Sequence, residues 1–304
     1  MANQLETLSE QLAAAVEGVS ASVVAVHARP YIGQSGLVWR ENLILTTSEG
    51  IRSEENIKVV LPDGRAVAGK LRGRDAGTDL ALVETDTEGA APLALASDAA
   101  LKPGHFILAV GRTANTGPIA TLGVISGVSG EWKSWRGGRL NPFVRLDINA
   151  YPTTVGGAVV GAAGGVIGLV STGLSRSSVL AITHGTIDRV APTLLEKGYV
   201  SHGFLGVALQ PVAIPENLRE KLGLDQKTGI MLVGVEPRGP AAAGGLIIGD
   251  ILVAADGAPL HDPESLTWVL FSAGAGQTVS FRIVRGGTIQ ELAVQVGERP
   301  GRGR

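Results

Sequence analysis

The chain has 304 residues, 44% apolar and 18% charged, with a formal net charge of -2. That length exceeds one ordinary hydrophobic core, so two or three compact units are expected, and the apolar content excludes a disordered chain. With no basic run apart from the tail Arg299-Pro300-Gly301-Arg302-Gly303-Arg304, the sequence carries no electrostatic footprint for nucleic acid, and the absence of cysteine excludes disulfides, thiolate nucleophiles and cysteine-bound zinc.

The first residues place Leu5, Leu8, Leu12, Ala15, Val16 and Val19 at helical spacing, which predicts one amphipathic helix over 1–19. They lack a basic region followed by an apolar core, so no signal peptide is expected; if the chain is complete, its location is cytoplasmic. From Ala21 onward the pattern changes to short strand-like runs separated by Gly, Asp and Pro: Ser22–His27, Gly36–Trp39, Leu43–Thr46, Ile57–Leu61, Ala66–Leu71 and Leu80–Glu84. A second set follows Pro103, at His105–Val110, Ala120–Val128, Pro142–Ile148, Ala158–Val160, Gly165–Ser171 and Val179–Ile182. Two such groups predict two small antiparallel barrels or a sandwich. The longest nearly apolar run, Gly156 to Val170, is too short and too rich in glycine for a membrane span.

Thr186–Lys197 reads as a linker helix stopped by Gly198. A third unit then carries strands at Phe204–Gln210, Ile230–Val235, Ile251–Ala255, Thr278–Arg285 and Thr288–Val296. It also carries a helix over Pro263–Ser272, with Asp262 as its N-cap and Pro263 in its first turn.

The motifs of this third unit run in a distinctive order: Gly203-Phe204-Leu205-Gly206-Val207, Gly229-Ile230-Met231-Leu232, Pro240-Ala241-Ala242, Gly245-Leu246, Gly249-Asp250 and Asp256-Gly257. Before them come Gly36-Leu37-Val38, Leu43-Ile44-Leu45-Thr46, Asp79-Leu80-Ala81-Leu82-Val83, Gly123-Val124-Ile125-Ser126 and Gly165-Val166-Ile167-Gly168. In this order the chain resembles the HtrA/Deg serine proteases from about Val19 to Val296. The resemblance implies a mainly β chain, a trypsin-like double β-barrel followed by a PDZ domain. The expected division is an N-terminal helix at 1–19, the double barrel at 20–185, a linker helix at 186–201, the PDZ domain at 202–298 and a basic tail at 299–304.

The family hydrolyses peptides with a Ser nucleophile, a His base and an Asp that orients the base. Against its motifs, Glu49 stands at the His position, Asp79 keeps the Asp and Val155 stands at the Ser position. Thr153 replaces the glycine that opens the oxyanion loop, followed by Thr154. A β-branched residue tolerates unusual backbone angles poorly, so the resemblance implies a degenerate site and a pseudoprotease. The five histidines, His27, His105, His184, His202 and His261, show no metal-ligand spacing, and no cofactor is expected. Glu49 beside Asp79 leaves two readings: a carboxylate pair in which like charge raises one pKa toward base catalysis, or a Glu49 that faces solvent or an arginine.

The PDZ resemblance implies that a peptide adds as a strand, its terminal carboxylate received by the loop Gly203 to Val207. Leu266, Val269 and Leu270, with Phe204, are read as an apolar slot for the last side chain; ordinary core is the competing reading. His202 stands where the family often has a basic residue. The expected activity is non-catalytic binding of polypeptide C-termini or unfolded segments, as a scaffold, adaptor or chaperone-like protein. The alternative is an active HtrA-type endopeptidase in protein quality control. The resemblance further implies a homo-oligomer, a trimer joined near its N-terminus, and a family often found outside the cytoplasm.

Overall fold

A computed structural model of the chain describes residues 3–298 apart from 30, 31, 88, 98–100, 135 and 202. The basic tail and His202 therefore lie outside the described residues. The chain divides into two compact units between Val200 and Ser201.

Helix α1 (Gln4–Ser20) begins where the Asn3 side chain accepts a hydrogen bond from the Leu5 N–H, satisfying a donor that the first turn leaves open. Its second half packs Leu12, Ala15, Val16 and Val19 on the first unit, while Leu5 and Leu8 remain exposed. The apolar stripe is thus divided between the helix's own unit and solvent.

Strands β1 (Val23–His27), β2 (Gln34–Arg40), β3 (Leu43–Thr47), β4 (Ile57–Val60), β5 (Ala66–Asp75) and β6 (Leu80–Thr85) close into a barrel in the order β1-β2-β3-β6-β5-β4. A second barrel is built from β7 (Phe106–Thr113), β8 (Gly117–Ser129), β11 (Phe143–Asp147), β12 (Ala158–Gly161), β13 (Val166–Ser171) and β14 (Val179–Thr183). Its order is β11-β14-β13-β12-β7-β8, and a short hairpin of β9 (Trp132–Lys133) and β10 (Arg139–Leu140) lies outside it. This is a trypsin-like double β-barrel. Strands such as β6 and β13 read as continuous apolar runs because both of their faces are buried, whereas β5 and β8 keep many exposed positions. In β6, Ala81 and Val83 point into the first barrel, while Leu80 and Leu82 join a core shared with Leu108 and Val110 of β7. Arg112 fastens this arrangement: buried, it donates to the carbonyls of Val23 at 2.6 Å and Ser20 at 2.9 Å, tying β7 to β1 and to the end of α1.

Helix α2 (His184–Lys197) ends at Gly198, whose φ of 81° gives the left-handed stop read in the sequence. It is not a linker, however. Ile187, Val190, Ala191 and Leu194 are buried in the shared core of the first unit, so the expected linker at 186–201 is corrected to an integral helix of that unit.

The second unit pairs β15 (Gly203–Phe204) with the final β22 (Gly297–Glu298) and holds a larger sheet. That sheet runs β16 (Val207–Ala213), β17 (Thr228–Val235), β18 (Ile251–Ala255), β20 (Thr278–Arg285), β21 (Thr288–Gln295), with β19 (Ala258–Pro259) against β18. Its helices are α3 (Glu216–Leu222), α4 (Pro240–Ala243) and α5 (Pro263–Ala273). The single strand expected over Phe204–Gln210 is broken at Leu205–Gly206, where Gly206 turns to φ 74°. At the start of α5 the Asp262 side chain accepts from the Ser265 N–H at 2.8 Å, the N-cap that the sequence predicts, and Ser265 answers to complete a capping box that it did not. Among the described residues no helix is long and apolar enough to cross a membrane.

Candidate functional site

The end of β3 and the turn before β6 bring Glu49 and Asp79 together. Asp79 is wholly buried and adopts φ 55°, a left-handed conformation that Asp tolerates better than most residues. Its Oδ1 accepts the Glu49 N–H at 2.8 Å, its Oδ2 accepts the Ser171 hydroxyl at 2.7 Å, and its carbonyl accepts the Ser48 N–H at 2.9 Å. The Glu49 carboxylate closes on the same place: a Cβ added at Gly173 would lie 2.5 Å from Glu49 Oε2 and 2.7 Å from Asp79 Oδ2. Burial pushes the Asp79 carboxyl up to about 6; the hydrogen bonds from Ser171 and Glu49 and the charge of Arg136 oppose that rise, while the Glu49 carboxylate adds to it. Glu49 itself is exposed.

Glu49 and Val155 line one cleft of about 260 Å³ together with Arg29, Gln34, Thr47, Gly50 and Thr172. Gln34 is fixed in its wall, accepting from Thr47 Oγ1 and donating to Thr46 Oγ1, both at 2.8 Å. Its amide fills the space a side chain at Gly50 would need, since a Cβ there would lie 1.4 Å from Gln34 Oε1. An adjoining apolar cleft of about 460 Å³ is bounded by Ile32, Ile119, Tyr151, Pro152 and Thr153, among others.

The loop that carries Val155 forms a 3-10 turn over Pro152–Thr154. Thr154 N–H donates to the Tyr151 carbonyl at 2.9 Å, and Val155 N–H reaches the carbonyls of Tyr151 and Pro152, both at 3.3 Å. Thr153 offers its carbonyl to the Ser35 hydroxyl at 2.6 Å. Neither threonine has a positive φ, so the backbone strain expected at Thr153 is absent, because the turn has taken a conformation that β-branched residues accept. The residue that requires glycine is Gly156, at φ 79°, where a Cβ would sit 2.2 Å from the Ser35 carbonyl oxygen. Ser35, Gln34, Ser171 and Gly173 complete the site without having been singled out in the sequence. The one signal was Ser171, a hydroxyl closing the otherwise apolar run of β13.

In the second unit β16 is an edge strand, hydrogen-bonded to β17 on one side alone. Before it, the Leu205 carbonyl accepts from Ala241 N–H at 2.9 Å and the Gly206 carbonyl from Glu236 N–H at 2.8 Å. Among the described residues, no acceptor is present for the N–H of Leu205 or of Gly206. Gly203 packs against the end of α5, where a Cβ would lie 2.2 Å from the Leu270 carbonyl oxygen. Phe204, Val207, Val269 and Leu270 are half-buried, whereas Leu266 is only 1% exposed. The slot role expected of Leu266 is therefore corrected: it belongs to the sealed core with Phe281 and Val279, because its face of α5 turns onto the sheet.

Residues 34–169 match the model of the trypsin-like peptidase domain, and residues 203–296 match that of the PDZ domain. A solved structure of the HtrA-type protease AlgW with a decapeptide superposes with a TM-score of 0.71 at 27% identity, covering 95% of this chain and 99% of that one. The chain joins an HtrA/DegP-type trypsin-like protease domain to a PDZ domain. A second AlgW structure, with a tripeptide, gives a TM-score of 0.69 at 29% identity and covers 95% and 97% of the two chains. A probable periplasmic serine endoprotease, DegP-like, from Pseudomonas savastanoi pv. phaseolicola is 31% identical over 90% of this HtrA-type chain and 57% of its own length. The counterpart from Halomonas elongata is 29% identical over the same shares. The chain thus spans little more than half the length of these curated relatives. Their names, probable periplasmic endoproteases, overturn the cytoplasmic location expected from the first residues.

Proposed function

We propose that this HtrA-type chain binds polypeptide C-termini or unfolded segments through its PDZ domain and does not hydrolyse them, serving as a scaffold, adaptor or chaperone-like protein outside the cytoplasm. The observation that carries this reading is Val155 at the nucleophile position, with an isopropyl group that cannot attack a carbonyl and an N–H directed at the carbonyls of Tyr151 and Pro152. An oxyanion needs a donor aimed at it, and a nucleophilic hydroxyl needs a base. Glu49 occupies the base position, and its backbone N–H is held by Asp79. For binding, the open edge of β16 can accept an added strand, and the N–H groups of Leu205 and Gly206 are placed to receive an acceptor on the peptide. AlgW, whose solved structures hold peptides, makes the same use of the fold reasonable here.

The relatives favour a second reading by name, an active HtrA-type serine endopeptidase in protein quality control. It requires a nucleophile from outside the expected positions. We also propose self-association, as a trimer, through the exposed start of α1, where Leu5 and Leu8 face solvent. Fluorescently labelled unfolded casein separates the two functions: retention of intact casein supports binding without cleavage, and fragments that vanish with a serine-directed inhibitor support the endopeptidase.

A further inference from the structure

Between α5 and the β18–β19 hairpin a shallow cleft of about 380 Å³ opens, lined on its apolar side by Pro259, Leu260, Trp268 and Val269. None of its lining residues belongs to β16 or to the loop Gly203–Val207, so it is built from a different set of side chains than the edge that accepts a strand. The two charged side chains that line it, Asp262 and Glu264, are both acidic. Asp262 caps α5 by accepting the Ser265 N–H at 2.8 Å, and both carboxylates suit the first turn of a helix. That cap is complete without Trp268, whose side chain stays 43% exposed. Four residues separate Glu264 from Trp268, which puts the carboxylate and the indole on one helix face.

We propose that this cleft is a docking site for an arginine side chain of a partner polypeptide, held by the Trp268 indole and the Glu264 carboxylate. Charge complementarity selects the occupant. An arginine can lay its aliphatic stem on Leu260, Val269 and Pro259 while its planar guanidinium stacks on the indole and meets a charge opposite to its own. A purely apolar side chain would take water from the carboxylates and give nothing back, and an anion would be repelled by both of them. Lysine brings the charge without the plane, so it ranks second. The site goes beyond strand addition and does not depend on it: a basic segment can dock here whether or not β16 carries a peptide.

The test uses the full chain and fluorescent Gly-Ser peptides, acetylated and amidated at their ends, with a central pair of Arg, Lys or citrulline, the last having the shape of Arg without its charge. Anisotropy should rank them Arg, Lys, citrulline, with Arg about tenfold tighter than citrulline, and high salt should narrow that gap. Trp268→Ala and Glu264→Gln should each weaken the Arg peptide about threefold to tenfold. Both side chains are exposed, so urea melts of the two variants should match the wild type. Equal binding of the Arg and citrulline peptides, or an Arg peptide indifferent to both substitutions, overturns the site. Displacement of the Arg peptide by an unlabelled peptide with a free apolar C-terminus places it on β16 and overturns the site as well. Arg binding that emerges only after residues 299–304 are removed gives the cleft to the chain's own arginines and overturns the partner. Failure of every blocked peptide to bind overturns the site and leaves strand addition along β16 untouched.

Discussion

Replacing Asp79 by Asn isolates the cost of the buried carboxylate. Asn keeps the shape, tolerates the φ of 55° and still accepts the Glu49 N–H, while the Ser171 hydroxyl can rotate to accept from the new amide. In the wild type the folded Asp79 titrates near 6, against 3.8 for the free side chain, with burial as the main cause. A carboxyl whose folded pKa is raised binds its proton more tightly in the folded state. Its contribution is therefore fully favourable below about pH 4 and is lost as pH rises through about 6. The whole shift corresponds to about 3 kcal/mol, of which about 2.4 kcal/mol is lost between pH 4 and pH 7.5. Urea unfolding of the first unit across that range should show wild-type stability falling relative to Asp79→Asn by an amount of that order. Parallel profiles for the two proteins would refute the assignment of a desolvated Asp79 whose folded pKa is raised.

Three further outcomes follow from the packing and the site. Arg112→Met should destabilise the first unit by about 2–4 kcal/mol in urea melts, because the carbonyls of Val23 and Ser20 lose a charged donor. Asp250→Ala should cost the second unit about 3–5 kcal/mol, since the wholly buried Asp250 takes two bonds of 2.7 Å from Arg285 and one from the Ile247 N–H. The double change Glu49→His with Val155→Ser should leave casein uncleaved, because the N–H at position 155 still points at Tyr151 and Pro152; a missing oxyanion donor is worth about 3 kcal/mol of barrier.

The strands were legible because two buried faces force continuous Val, Ile and Leu runs, as in Leu80–Val83, and the ends of α2 and α5 because Gly198 and Asp262 carry specific backbone chemistry. Helix α3 was not foreseen: none of its residues is buried, so it imposes no strong apolar period. At the site, Glu49, Asp79 and Val155 could be placed by motif order. Ser171 could not, since its bond to Asp79 joins residues 92 apart and exists through barrel closure alone. Leu266 shows the limit of periodicity: spacing marks a shared helix face but does not say whether core or ligand covers it. The 3-10 turn at Pro152–Thr154 was equally hidden, because Thr153 signals difficulty with one backbone shape without naming the shape adopted.

Whether the cleft between Glu49 and Val155 retains an activated hydroxyl decides between binding alone and proteolysis. Incubating the purified full chain with a fluorophosphonate probe and reading the intact mass tests this directly. The expected result is an unmodified mass, alongside complete labelling of an active serine protease in the same tube. A stoichiometric adduct that maps to a serine or threonine lining the cleft, and that is lost on heat unfolding, would contradict it.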